Sequence, residues 1–239
     1  MSSSITPTPI ENKFLSLAGV TAVCYSIIWV SPITFFSRLI SSDSSFYVLQ
    51  FERHFWQYLF AFITIVVLSR GHLWSYGINS QNLKTSMQWL VWLYLFSIVT
   101  TFAAIGFGIK ILPVEAYHIP HGGKETVIST LVYWMSSPVA NQILFFSFGQ
   151  TMLMKHWGET IKIGGMPVAI LFSALLFALL ATSSSFDIGA YTIFSTFLLG
   201  LYCGIVHWKT NSLITPMLGH AFYFGFPLFI QMVRSAFLQ

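Results

Sequence analysis

Asn141 and Gln142 are adjacent amides inside the apolar run of residues 127–154, and His220 is an imidazole inside the run of residues 213–237. Polar groups at such depth are costly unless they are hydrogen-bonded or serve a function. An imidazole can exchange a proton near neutral pH. A primary amide donates and accepts hydrogen bonds and cannot act as a general base. The seven acids, Glu11, Asp43, Glu52, Glu115, Glu125, Glu159 and Asp187, all fall in expected loops or at the edges of apolar segments. The apolar interior is therefore expected to hold His220 and two amides, with no carboxylate beside them.

Other candidates carry less. His118 and His121 have a spacing that metal ligands use, but Pro120 intervenes and no acid or cysteine accompanies them closely, so no metal is expected. Thr182-Ser183-Ser184-Ser185 reads as a polar turn, with no base placed beside it. His54, His72, His156 and His207 flank apolar segments and read as interfacial residues, as do Trp74, Tyr76, Trp157 and Trp208. Cys24 and Cys203 lie far apart in apolar stretches and show no zinc-ligand spacing, so they read as small hydrophobes. No cofactor is implied. Gly200 and Gly204 form a GxxxG pair, which permits close helix approach inside the bundle or to a second chain.

The elements that must position these residues follow from composition. Of 239 residues 55% are hydrophobic, 18% aromatic and only 8% charged. A soluble domain carries about 25% charged residues, so this is a membrane protein by composition. The mean hydropathy of +0.73 agrees. The net charge of +4 comes from basic residues scattered singly between apolar runs, which is not the pattern of a nucleic-acid-binding surface. Residues 1–13 are Ser/Thr/Pro-rich and lack the basic start and short apolar core of a signal peptide, so they read as a disordered lead-in to one membrane domain, residues 14–239.

A spanning helix needs about 20 mostly apolar residues. Residues 14–36, 54–68, 87–111, 127–154, 166–181, 188–207 and 213–237 are the candidates. The expected fold class is all-α, a polytopic bundle of about seven transmembrane helices. Residues 37–53 read as a polar loop. The fourth segment reads as broken near Pro138, which suits a first helical turn capped by Ser137. Lys13, Arg70, Lys84, Lys155, Lys162 and Lys209 fall on one side of this topology, against Arg38, Arg53, Lys110, Lys124 and Arg234 on the other. The excess favours the first set as cytoplasmic by a single residue, which leaves orientation open.

The order of these elements resembles the CPBP family of intramembrane proteases, which includes the type II CAAX prenyl endopeptidases and the Abi-type bacteriocin-processing and immunity proteins. Ser137-Pro138-Val139-Ala140 followed by a polar pair is similar to the entry to that family's Glu-Glu-x-x-x-Arg helix. Residues 175–181 are similar to its Phe-x-x-x-His helix, and residues 197–213 to a Gly-containing helix with its Lys-Thr-Gly-Ser-Leu turn. Pro216-Met217-Leu218-Gly219-His220 resembles the last motif, Pro-x-x-x-His-x-x-x-Asn. Trp74-Ser75-Tyr76-Gly77-Ile78 resembles a segment common before the third helix. The CPBP-like core spans about residues 127–237.

In that family the first Glu activates the attacking water, while His and Asn groups orient it and stabilise the oxyanion. Carried over by position, Asn141 stands for the first Glu, Gln142 for the second and Phe146 for the Arg. Ala181 stands for the second-motif His and Phe224 for the final Asn; only His220 is retained. Losing both carboxylates together with the cation that paired with them keeps hydrogen bonding and discards charge.

The resemblance thus implies a catalytically degenerate intramembrane-protease homologue, with Asn141, Gln142 and His220 lining the remnant pocket. Such a chain would live in the bilayer and bind a membrane protein, peptide, lipid or pigment. Two other readings stand beside it. One is an active CAAX-type endopeptidase with an unconventional site that joins Glu159 or Asp187 to His220. The other is a structural subunit of a larger membrane complex, with Gly200 and Gly204 facing outward.

Overall fold

A computed structural model of the chain describes residues 9–30, 46–79, 82–106, 135–158, 161–182 and 190–223. These form helices α1 (Pro9–Val30), α2 (Phe46–Ser69), α3 (Leu83–Gly106), α4 (residues 135–157), α5 (Val168–Thr182), α6 (Ala190–Thr210) and α7 (residues 214–223). A 3-10 turn at Leu73–Tyr76 precedes α3. A short antiparallel ladder, β1 (Lys162–Ile163) with β2 (Met166–Pro167), joins α4 to α5. Its tip, Gly164 and Gly165, has φ of 58° and 82°, a left-handed turn that glycine adopts without strain.

The all-α expectation agrees with these elements; the count of spans does not follow as directly. Among the described residues only Asn12–Val30 is both long and apolar enough to cross a membrane, and Val168–Leu180 is apolar but shorter. Several of the remaining helices carry polar side chains and turn them inward, which lowers their hydropathy.

α2 departs most from expectation. It begins at Phe46, so Glu52 and Arg53 belong to the helix and not to a loop. Phe46 to His54 contains neither Pro nor Gly, and nothing in it interrupts helical hydrogen bonding once the Ser-rich stretch before it has ended. His54 is consequently a buried helical residue, not an interfacial one.

α4 is the central helix. It is unbroken at Pro138, which is the fourth described residue of the helix, so its missing N–H falls in the first described turn. Ser137 lies inside the helix and does not cap it; its hydroxyl accepts a hydrogen bond from Asn141 one turn on. From Gln142 to Gln150 the helix widens to π geometry, and all nine of these side chains are buried. α1, α2, α5 and α6 pack around this stretch. Buried π segments are rare and tend to mark functional positions.

α5 and α6 form the closest helix pair. A Cβ on Gly200 would stand 3.0 Å from the Phe177 ring and 3.1 Å from the Ala174 backbone. One on Gly204 would stand 2.8 Å from both Ile170 Cγ2 and Gln150 Oε1. Both glycines therefore face into the bundle.

The turn before α3 is clamped to the end of α6. Asn79 Nδ2 donates to Asn211 O at 2.8 Å, Asn82 Nδ2 to Thr210 O at 3.1 Å, and Leu213 N to Gly77 O at 3.1 Å. Gly77 has φ 76° and lies against the His207 ring, where a Cβ would overlap it. Tyr76 and His207 are buried in this clamp, and Trp157 is buried where its indole N–H meets Lys13 O at 3.0 Å and Ser16 Oγ at 2.8 Å. These three were expected at an interface. The indole of Trp157 and the hydroxyl of Tyr76 find partners within the protein instead, whereas His207 Nδ1 is buried without a hydrogen-bond partner.

Candidate functional site

The three polar residues singled out by sequence converge. α4 contributes Asn141 and Gln142 at the point where α geometry passes into π, and α7 contributes His220. Gln142 is wholly buried and His220 is 2% exposed. The Gln142 amide nitrogen donates to Nδ1 of His220 at 3.1 Å. An amide nitrogen can only donate, so the imidazole nitrogen it meets is unprotonated and the ring is neutral in this arrangement. The other end of the amide, Gln142 Oε1, is buried with no hydrogen-bond partner.

Asn141 is served from a second helix. Gln57 Nε2 on α2 donates to Asn141 Oδ1 at 2.9 Å, and Asn141 Nδ2 donates to Ser137 Oγ at 3.2 Å. One turn before Gln57, His54 is buried on the same face of α2. α2 thus supplies two buried polar residues that sequence reasoning had not placed at the site. The signal was present. His54 and Gln57 are three apart and continue through Ala61 and Ile65, a helical stripe that is buried throughout.

The positions expected to carry Arg and His in the resembled motifs are filled differently. Phe146 is fully buried, and its ring meets Phe177 edge-on at 5.6 Å. Phe177 in turn meets the His220 ring at 5.3 Å, also edge-on. The imidazole is therefore held between an amide and an aromatic ring. Ala181 lies on α5, but its side chain is outside those described, and Phe224 is outside the described residues. His118, His121, Glu159, Ser183, Ser184, Ser185 and Asp187 are also outside them.

Among residues whose side chains are described, Glu52 is the one carboxylate, and its Oε1 is buried without a hydrogen-bond partner. It precedes His54 by two residues, which on a helix turns the two side chains to opposite faces. No three His, Cys, Asp or Glu side chains cluster among the described residues as metal ligands would. Gly200 and Gly204 belong to the packing around Phe146 and Phe177 and present no chemistry of their own.

A pocket of about 400 Å³ adjoins this cluster, between α2 and the start of α4. Phe51, Phe55, Tyr58, Met135 and Val139 line it, and His54 stands in its wall. His54 is therefore the residue shared by the pocket and the polar cluster. Chemically, the arrangement can bind a hydrogen-bonding group and exclude water. The described side chains place no carboxylate against His220.

Residues 123–225 match the family model for the type II CAAX prenyl endopeptidase Rce1-like proteins, which confirms on this segment the resemblance drawn from the motifs. No curated protein matches the chain. No solved structure matches it either.

Proposed function

We propose, for a chain whose residues 123–225 carry the Rce1-like type II CAAX prenyl endopeptidase segment, that it is a catalytically degenerate member of this membrane-embedded group and acts by binding a membrane partner. The observation that supports this reading is the amide of Gln142 standing against His220. A carboxylate at that position would hold an imidazolium or share a proton with it. An amide does neither, and it leaves the ring a hydrogen-bonding group. Asn141, held by Gln57 and Ser137, is likewise committed to hydrogen bonds inside the protein.

The substitutions are mutually consistent. Phe146 fills the place of a cation with an apolar ring that packs on Phe177, so no unpaired charge is buried there. A lost general base or oxyanion donor each lowers a rate on the order of 10² to 10⁴-fold, and losses within one site are not additive. The partner class that suits the site is a membrane protein, peptide or lipid whose polar group reaches the His54–His220 region through the neighbouring pocket.

The test is direct. The protein reconstituted in vesicles is offered prenylated CAAX peptides, and product is followed by mass spectrometry. No turnover above protein-free vesicles is expected. Turnover that disappears in His220→Ala overturns the reading and makes the chain an enzyme. Affinity purification from native membranes then identifies what is retained, and a partner lost on Tyr58→Trp, which fills the pocket, supports the binding role.

A further inference from the structure

Six basic residues distant in sequence are brought to one end of the bundle. The Trp157 indole, at the end of α4, donates to Lys13 O near the start of α1. Lys155, in the last turn of α4, lies with its Nζ 4.0 Å from the centre of the Tyr76 ring. Tyr76 follows the end of α2 closely, with Arg70 between them. Asn82 and Asn79 tie the start of α3, which carries Lys84, to Thr210 and Asn211 beside Lys209. Lys162 sits on the β1–β2 hairpin that directly joins α4 to α5.

Five of the six, Arg70, Lys84, Lys155, Lys162 and Lys209, are exposed. Among the described side chains no carboxylate shares this end; Glu52 lies near the start of α2, at the opposite end of that helix from Arg70. Glu11 lies two residues before Lys13 and Glu159 lies between Lys155 and Lys162, and the side chains of both are outside those described. Even counting both against the six cations leaves a net positive end.

The same end carries exposed apolar side chains of the kind that sit among lipid headgroups. Trp74 is 58% exposed and Ile163, beside Lys162, also 58%. The exposed Lys209 holds its Nζ over the Trp208 ring, 4.2 Å from the centroid.

We infer that this end is a collar that binds the phosphate headgroups of anionic phospholipids in the leaflet it meets. The inference rests on the chain being membrane-embedded and is independent of whether it has catalytic activity. Its basis is charge complementarity: six cations at the ends of five different helices or their connections share one end of the bundle, with exposed Trp74 and Ile163 among them. Cations near a membrane surface attract anionic lipid additively, and salt weakens the attraction.

The experiment uses the full chain in phosphatidylcholine vesicles containing spin-labelled phosphatidylglycerol or spin-labelled phosphatidylcholine, and reads the fraction of label immobilised at the protein. Phosphatidylglycerol is expected to be favoured by about threefold or more at low salt, and the preference is expected to fall at high salt. Lys84→Gln with Lys162→Gln and Lys209→Gln, all at exposed positions, is expected to bring the ratio close to one with helix content unchanged by circular dichroism. Equal immobilisation of the two lipids by the unaltered protein overturns the collar, and so does a preference that survives the triple substitution. Protein washed from the vesicles by alkaline carbonate removes the membrane premise itself, whereas protein retained without lipid preference removes only the collar.

Discussion

The side-chain amide of Gln142 on α4 meets Nδ1 of His220 on α7 at 3.1 Å, and these two residues are 78 positions apart in the chain. One end of the amide is satisfied by the ring, while the other, Oε1, is buried and bare. This asymmetry makes the pair a sensitive point of the bundle.

Removing either partner is expected to destabilise the protein by about 1–3 kcal/mol, since a buried polar group is left without its partner. His220→Leu leaves both ends of the Gln142 amide bare, whereas Gln142→Leu removes one bare oxygen while exposing one ring nitrogen. His220→Leu is therefore expected to be the more costly. The double variant is expected to recover part of the sum, with a coupling of about 1 kcal/mol or more. Thermal unfolding of the four proteins in one detergent checks the order; strictly additive losses would show that the contact contributes nothing.

Phe146 offers a test of the proposal that neutral side chains stand together in place of a charged set. Phe146→Arg alone buries a guanidinium beside Phe177 and Gly204 with no described carboxylate near it, a change on the order of 3–5 kcal/mol. The same substitution combined with Asn141→Glu and Gln142→Glu is expected to be milder, because the cation regains partners one helical turn away. Comparing folded yield and unfolding temperature of the single and triple variants decides the matter.

Gly204 is the tight point between α5 and α6. Gly204→Ala places a methyl 2.8 Å from Ile170 Cγ2 and Gln150 Oε1, so the helices must separate or these side chains must shift. A loss of about 1–3 kcal/mol is expected from such overpacking. Gly19→Ala, where a Cβ meets nothing within 4 Å, is the matched control, and its unfolding temperature is expected to stay the same or rise.

The clamp between the turn before α3 and the end of α6 predicts a larger effect at Gly77. Gly77→Ala combines a positive φ of 76° with overlap of the His207 ring, so a loss above about 2 kcal/mol is expected. Asn79→Ala removes the hydrogen bonds that Nδ2 donates to Asn211 O and Trp74 O at the exposed edge of the same clamp and is expected to lose about 1 kcal/mol. If the two variants unfold alike, the ring contact at Gly77 is not what holds the clamp.

The polar residues of the candidate site were legible in the chain itself. Asn141, Gln142 and His220 are conspicuous because a polar residue in an apolar run must be satisfied, although the helix start expected just before Asn141 is absent and α4 runs unbroken through Pro138. The clamp was half visible: Trp74 to Ile78 and Lys209 to Leu213 each had a recognisable pattern, but nothing in either pattern says that they touch. Four residues were misplaced: His54, buried in α2, and three others. Tyr76, Trp157 and His207 carry the side-chain chemistry of a membrane interface, yet each is buried beside protein partners, since composition reports what a side chain tolerates and not which surface reaches it.

Residue types and local spacing were enough for the apolar helical class, for the segment of family likeness and for the presence of Asn141, Gln142 and His220 within apolar runs. Tertiary structure alone decided that α2 begins early enough to bring Gln57 to Asn141 and to bury His54 on the same face. It also decided that the GxxxG face turns inward, and it tied together by named contacts the six cations that the order of segments had placed on one side. Each of these depends on which helix lies beside which, and side-chain partners tens of residues apart are set by packing, on which local periodicity is silent.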